Sequence, residues 1–416
     1  MAGIYPFRAE RPNKDVVAEV AALPYDVYNR LEAKAEVERH PRSFLRIDRP
    51  ETNFGPDFDM YSEESYETAR RLLWESFEDG TYVEDEKKVY YIYELIMDGR
   101  HQTGIVAAAS VDDYLSGVIK KHENTRAEKE ADRINHIYTC KAQTGPIFLA
   151  YRDDDTINGV VSRVKTGEKL YGFTSEDGIT HNVWIIDNDE DIEKVRDAFA
   201  AIDSIYIADG HHRAASAVKV GTRLREEHPD YDGTEEYNSF MSVLFPESEL
   251  KILPYNRVVA DLAGYSEEEF IEEMANVVDI EKSDSPVSPT VKGTMGMYMG
   301  DTWYRLTVKT ELMSDDPVDG LDVSLLQNLI LEPVLGIEDP KTDKRIDFVG
   351  GIRGLGELER RVNAESGDSV VAFSMYPTTI EELFNVADAG LLMPPKSTWF
   401  EPKLRSGIFI HKINEE

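Results

Sequence analysis

Residues 205–217 read Ile-Tyr-Ile-Ala-Asp-Gly-His-His-Arg-Ala-Ala-Ser-Ala. An apolar run ends at Asp209-Gly210, and a run of small residues able to start a helix follows at once. Glycine supplies the tight turn that a residue with a Cβ resists. The first N–H groups of the helix then have no intrahelical acceptor and, together with the helix dipole, favour an anion such as phosphate. His212 and Arg213 add side-chain donors, and the arginine fork can grip two phosphate oxygens. A cation in the first helical turn opposes the dipole, which an anionic ligand would offset. The same residues also fit a solvated helix start, because Asp-Gly turns are common.

Working outward, strands are expected at 147–151 and 183–186, with an amphipathic helix over 192–201 between them and the 205–208 strand. Hairpins are expected over 88–109, turning at Asp98-Gly99, and over 296–308, turning at Gly300-Asp301. Helices follow at 323–335 (capped by Asp322 or Ser324), 356–363 and 379–389, and strands at 370–373 and 407–411. The charge-dense stretch 120–135 reads as a surface loop leading into a helix, since it cannot bury a wide apolar face. This is a mixed α and β (α+β) chain. Its 416 residues exceed what one core supports, and three regions are expected: 1–118, 119–246 and 247–416.

Lys and Arg total 46 against 80 Asp and Glu, a formal charge of −34, which argues against a nucleic-acid partner. Cys140 is the single cysteine, so no disulfide framework exists within the chain and a reducing, cytoplasmic setting is expected. No stretch approaches the roughly 20 apolar residues that span a bilayer, so no membrane partner is expected.

A second candidate cluster is His122-Glu123, followed by Thr125, Arg126, Asp132 and Arg133. Phosphoryl transfer to an alcohol needs a base near the attacking hydroxyl, and Glu123 suits that task; a solvated helix explains the same charges. His122, Glu123, Asp209, His211 and His212, with His181, also contain enough ligands for a zinc or manganese hydrolase, although adjacent histidines on a helix point about 100° apart. Asp209 holding Mg²⁺ against phosphates is an easier metal role. A third cluster, Lys396-Ser397-Thr398 through Lys403 and Arg405, places positive charge against the bias of the chain, stiffened by Pro394-Pro395. Pro24-Tyr25-Asp26-Val27 puts an acid and a phenol after a proline turn, either lining a pocket or closing a strand.

The Ala-Asp-Gly-His-His-Arg segment at 208–213, the 24–27 segment, His122-Glu123-Asn124-Thr125 and Met393-Pro394-Pro395-Lys396-Ser397-Thr398 together resemble the prokaryotic family known as domain of unknown function 1015, nearly end to end. The 208–213 segment is in turn similar to the phosphate-binding signature of the ParB and sulfiredoxin class, which includes free serine kinases. This resemblance implies a ParB/sulfiredoxin-like nucleotide-binding core at 119–246 with N- and C-terminal α/β extensions. It implies that Gly210, His211, His212 and Arg213 cradle the phosphates of ATP or ADP, with Lys396, Ser397 and Thr398 as further contacts. Glu123, His122 and Asp209 are the implied catalytic set, with Mg²⁺ on Asp209. Sulfiredoxins carry a cysteine where His211 stands, so sulfinic-acid reduction is not expected. Asn256, before Arg257, departs from the histidine expected there. The activity implied is nucleotide-dependent phosphoryl transfer to a small hydroxylated metabolite, free serine first among them. A non-catalytic nucleotide-responsive regulator and a metal-dependent hydrolase are the alternatives.

Overall fold

The structure, a computed structural model, describes residues 2–125, 127–364 and 370–413; Arg126 lies outside them. The chain forms two compact units, Met1–Leu250 with Pro402–Glu416, and Lys251–Glu401. The expected regions 1–118 and 119–246 contribute strands to one sheet of the first unit, and the C-terminal fifteen residues return to that same unit.

The first unit is built on a mixed nine-stranded sheet. Its strands are β1 (Ile4–Tyr5), β2 (Tyr90–Met97), β3 (Arg100–Ser110), β4 (Ile119–Lys120), β5 (Ile147–Tyr151), β6 (Tyr171–Thr174), β7 (Thr180–Ile186), β8 (Ile205–Asp209) and β9 (Ser239–Pro246). They run in the order β4-β8-β5-β9-β3-β2-β7-β6, with β1 on β3. β8 pairs parallel to β4 and antiparallel to β5. The expected hairpin is β2–β3, and Asp98 and Gly99 both take the positive φ that such a two-residue turn demands.

Helices α1 (Glu63–Glu78), α2 (Ala127–Cys140), α3 (Asp155–Val164), α4 (Asp189–Ala201) and α5 (His211–Glu227) belong to this unit. Ala214, Ala217, Val218, Val220 and Leu224 join α5 to the sheet core around Leu149 and Ile207. Each large apolar side chain buried there contributes about 1.5–3 kcal/mol. The small residues also matter: a Cβ on Gly221 would collide with the Tyr237 carbonyl.

The stretch 120–135 departs from expectation. It contains most of α2, and His122, Glu130, Asp132 and Arg133 are buried. A polar helix is tolerated inside because its charges pair locally, Arg133 with Asp132 at 2.8 Å and Glu130 with Lys219 and Thr125.

The second unit carries a six-stranded sheet. Its strands are β10 (Tyr255–Val259), β11 (Val278–Ser283), β12 (Thr294–Met299), β13 (Thr302–Val308), β14 (Ile346–Gly350) and β15 (Val371–Met375). They are ordered β11-β13-β12-β15-β10-β14 and every pairing is antiparallel. The helix expected over 323–335 is Asp322–Leu326 continued by a π-helical turn, Gln327–Leu331. Asp322 does not cap it; its Oδ1 accepts from the Gly293 N–H at 2.8 Å. The last expected strand shrinks from 407–411 to His411–Lys412, paired with Ala142–Gln143 of the first unit. Among the described residues no helix is long and apolar enough to cross a membrane.

Candidate functional site

β8 ends at Asp209, and Gly210 turns the chain with φ +90°. The first α5 bond runs from the Ala214 N–H to the Gly210 carbonyl at 2.9 Å, so the N–H groups of 211–213 precede the helical ladder. No side chain caps this helix and its first turn holds no acid, whereas Asp154 and Asn188 cap α3 and α4. Arg213 folds back: Nε and Nη2 lie 3.1 Å from where a Cβ of residue 210 would stand, and Nη1 donates to the Pro146 carbonyl at 2.6 Å. Glycine at 210 therefore serves both the backbone angle and the return of the guanidinium.

The Asp209 carboxylate accepts from the Gly210 N–H at 2.8 Å through Oδ1 and from Lys403 Nζ at 3.0 Å through Oδ2. Burial works to raise its pKa, but Lys403, Arg213 and these hydrogen bonds outweigh burial and hold it well below the ordinary carboxylate range. With an ammonium already against one oxygen and an amide against the other, Asp209 does not fit the role of resident Mg²⁺ ligand, which needs oxygens free for the ion and its waters.

The 122–125 segment meets the same corner. His211 is buried, and its Nε2 accepts from the His122 N–H at 3.4 Å. The ring proton is thereby assigned to Nδ1, which faces Glu123 Oε2 at 3.8 Å. The buried His122 ring stands edge-on to His211 at 4.5 Å. Burial lowers His122 to about 4, against the pull of Asp209, and burial with the neighbouring imidazoles keeps His211 well below its ordinary value, so both are neutral at pH 7. His212, half-buried, acts electrostatically on His211 and Glu130.

The structure thus gathers His122, Glu123, Asp209, Gly210, His211, His212 and Arg213. The unit that carries them does not contain Lys396, Ser397 or Thr398, which lie in Lys251–Glu401. There Lys396 takes φ +59°, its carbonyl accepts from Arg257 at 3.1 Å, and Ser397 Oγ donates to the Pro394 carbonyl at 2.7 Å. Five of the six imidazoles and carboxylates expected for a metal meet at this corner, but they form no metal-binding group among the described residues. His181 sits on β7 with Tyr93 Oη at 2.8 Å and Ser175 Oγ at 3.0 Å, and among the described residues no group of three or more His, Cys, Asp or Glu could hold a metal ion.

Sequence reasoning placed Lys403 in a basic run without giving it a task. It also missed Asp48, Arg49 and Glu51, whose surroundings form only in three dimensions. Tyr25, Asp48, Arg133, Thr144, Gly145 and Arg213 line a hollow of about 30 Å³, space for about one water. Arg133 lies 4.1 Å over the Tyr25 ring, and burial pushes the Tyr25 phenol up to about 12. The 24–27 segment lines a pocket rather than closing a strand.

Residues 4–324 match the family described as Protein of unknown function (DUF1015). No curated protein matches the chain. Among solved structures it is similar to a free serine kinase in complex with AMP, at 14% identity and TM-score 0.34, covering 74% of this chain and 91% of that one. It is also similar to a conserved hypothetical protein from Pyrococcus furiosus, at 15% identity and TM-score 0.35, covering 74% and 94%. C-terminally truncated SbnI from Staphylococcus aureus matches at 12% identity and TM-score 0.36, covering 71% and 82%.

Proposed function

This chain belongs to the family described as Protein of unknown function (DUF1015), and from that premise we propose that its β8–Gly210–α5 corner is the phosphate cradle of a ParB/sulfiredoxin-like nucleotide-binding core. The reaction is phosphoryl transfer from ATP or ADP to a small hydroxylated metabolite, free serine first among candidates. The single observation that carries this reading is the uncapped, acid-free start of α5, with Arg213 and Lys403 beside it and the buried His122 ring against it. Fixed amides and cations at one point stabilise an anion without reorganisation.

In the transfer, the acceptor hydroxyl oxygen attacks the terminal phosphorus, the bond to the bridging oxygen breaks, and the shortened nucleotide leaves with that electron pair. The hydroxyl proton passes to Glu123, which the Nδ1–H of His211 faces at 3.8 Å. Arg213 and the N–H groups of 211–213 hold the phosphates, and Asp209 holds Lys403 toward them. Mg²⁺ belongs to this reading as a companion of the nucleotide, not a resident of Asp209.

Incubating the protein with ATP or ADP, Mg²⁺ and a pool of hydroxylated amino acids and sugars tests the reading. Consumption of nucleotide with a phosphorylated acceptor, abolished in Glu123→Gln, is expected. Nucleotide binding without turnover would favour the regulator instead.

A further inference from the structure

A larger hollow of the first unit lies away from the Gly210 turn. It measures about 470 Å³ and is lined from β3, β5, β9 and α3, within the size range of small-molecule sites. Tyr151, the last residue of β5, pairs with Pro246, the last of β9, and both line it. Asp209, by contrast, pairs with Phe148 toward the other end of β5. The strand from 148 to 151 sets the two positions about 10 Å apart, at roughly 3.3 Å per residue.

Ile105, Val161 and Pro246 make part of the wall apolar. Lys165 also lines it, but its charge is spent on Glu94 at 2.5 Å, and it donates to Thr103 Oγ1 at 3.1 Å. Tyr151, Asn158 and half-buried Glu249 differ. Tyr151 is 1% exposed, with its ring edge-on to Phe199 at 5.1 Å, yet among the described residues no hydrogen bond engages its hydroxyl. The Asn158 side-chain amide likewise has none there. Glu249 accepts from the Thr103 N–H at 3.1 Å through Oε2, which leaves Oε1 open, and Arg100 donates to its carbonyl rather than its carboxylate. A buried hydroxyl without a partner costs stability, so such a group calls for one.

The sign of the missing partner follows from the field around it. Burial pushes the Tyr151 phenol up, and Asp153, Asp154 and Glu249 add to the effect, so the hydroxyl is neutral and the potential at it is negative. That field disfavours an anion. An ammonium carries three N–H donors, and the wall offers acceptors for them in Glu249 Oε1, Tyr151 Oη and Asn158 Oδ1, with apolar surface for an alkyl chain. We propose that this cavity is a second ligand site, separate from the phosphate cradle, and that it takes a small aliphatic amine in its ammonium form. The proposal is independent of the phosphotransfer reading.

Ligand-observed NMR titration of the intact protein tests it, with n-butylamine and 1,4-diaminobutane as ammonium probes, 1-butanol as the neutral isostere and butyrate as the anionic one. Salt at about 0.15 M screens the diffuse attraction of an acidic surface for any cation. At least one amine is expected to bind about tenfold or more tighter than both isosteres. Glu249→Gln, which removes the charge and keeps an acceptor for Thr103, is expected to weaken that amine about tenfold. Tyr151→Phe, which keeps the ring against Phe199, is expected to weaken it about threefold or more. Both variants, checked for native circular dichroism, should leave ADP affinity within about twofold of the parent. Equal binding of all four probes, no binding of either amine, or unchanged amine affinity in either variant would overturn the proposal. Selectivity for the amine in the parent protein stands as a readout that needs no variant to fold.

Discussion

Position 210 shows how one residue can serve backbone and chemistry together. Its φ of +90° disfavours any side chain, and a Cβ there would press on the Arg213 guanidinium at 3.1 Å. Gly210→Ala is therefore expected to lose about 1–2 kcal/mol from backbone strain and to move Arg213 from the Pro146 carbonyl. Chemical denaturation reads the first effect, and ADP titration reads the second as a loss of about tenfold or more in affinity. The bend at this residue was legible in the sequence, because an apolar run broken by Asp-Gly before small residues marks a strand passing into a helix. Lys403 and Arg405 were not separable. They sit in one basic run, yet Lys403 reaches Asp209 across 194 residues, whereas buried Arg405 reaches Asp177 across 228 and lies 3.4 Å from His181. Only tertiary partners distinguish a site lysine from a structural arginine.

Among elements, those with strong local signals came out as read. The hairpins at Asp98-Gly99 and Gly300-Asp301 were legible because the turn residues at both sites take positive φ. α2 was misread because its inward face is polar: Arg133 pairs with Asp132, Glu130 with Lys219 and Thr125, and His136 with the Ile47 carbonyl, which leaves no wide apolar stripe for periodicity to detect. In the returning segment after Pro402 a strand was legible, but its partner, Ala142–Gln143, was not. Arg405 anchors that segment against Ser175 at 3.0 Å and against Asp177. Arg405→Ala removes a buried guanidinium from a half-exposed carboxylate and is expected to cost about 1–3 kcal/mol. A lower melting temperature for the first unit, with ADP affinity reduced because Lys403 shares the segment, is the expected outcome in thermal denaturation and binding assays.

At the scale of the whole molecule, the two units should answer pH in opposite senses. In the first, burial lowers His122 from 6.5 to about 4. Between those values the unfolded chain binds a proton that the folded state refuses, so falling pH costs stability. Asp209, held low, adds to this trend at lower pH. In the second, burial raises Asp322 from 3.8 to about 7, with Glu382 raising and Lys292 lowering it, and its Oδ2 has no hydrogen-bond partner. Between those values the folded state keeps a proton that the unfolded chain has released, so rising pH costs stability. Scanning calorimetry from pH 5 to 8 is expected to show two transitions that shift in opposite directions. Asp322→Asn should flatten the pH response of the second unit, and His122→Asn that of the first. Parallel shifts of both transitions would contradict the assignment. Length argues only for more than one core, and a chain that leaves one unit at Leu250 and returns at Pro402 leaves no trace in local pattern.

The measurement that bears most directly on the central claim is a crystal structure of the protein grown with ADP. The expected result places a phosphate group within hydrogen-bond distance of the N–H groups of residues 211–213, with the Arg213 or Lys403 side chain on its oxygens. Nucleotide bound elsewhere, with the start of α5 filled only by water, would contradict it.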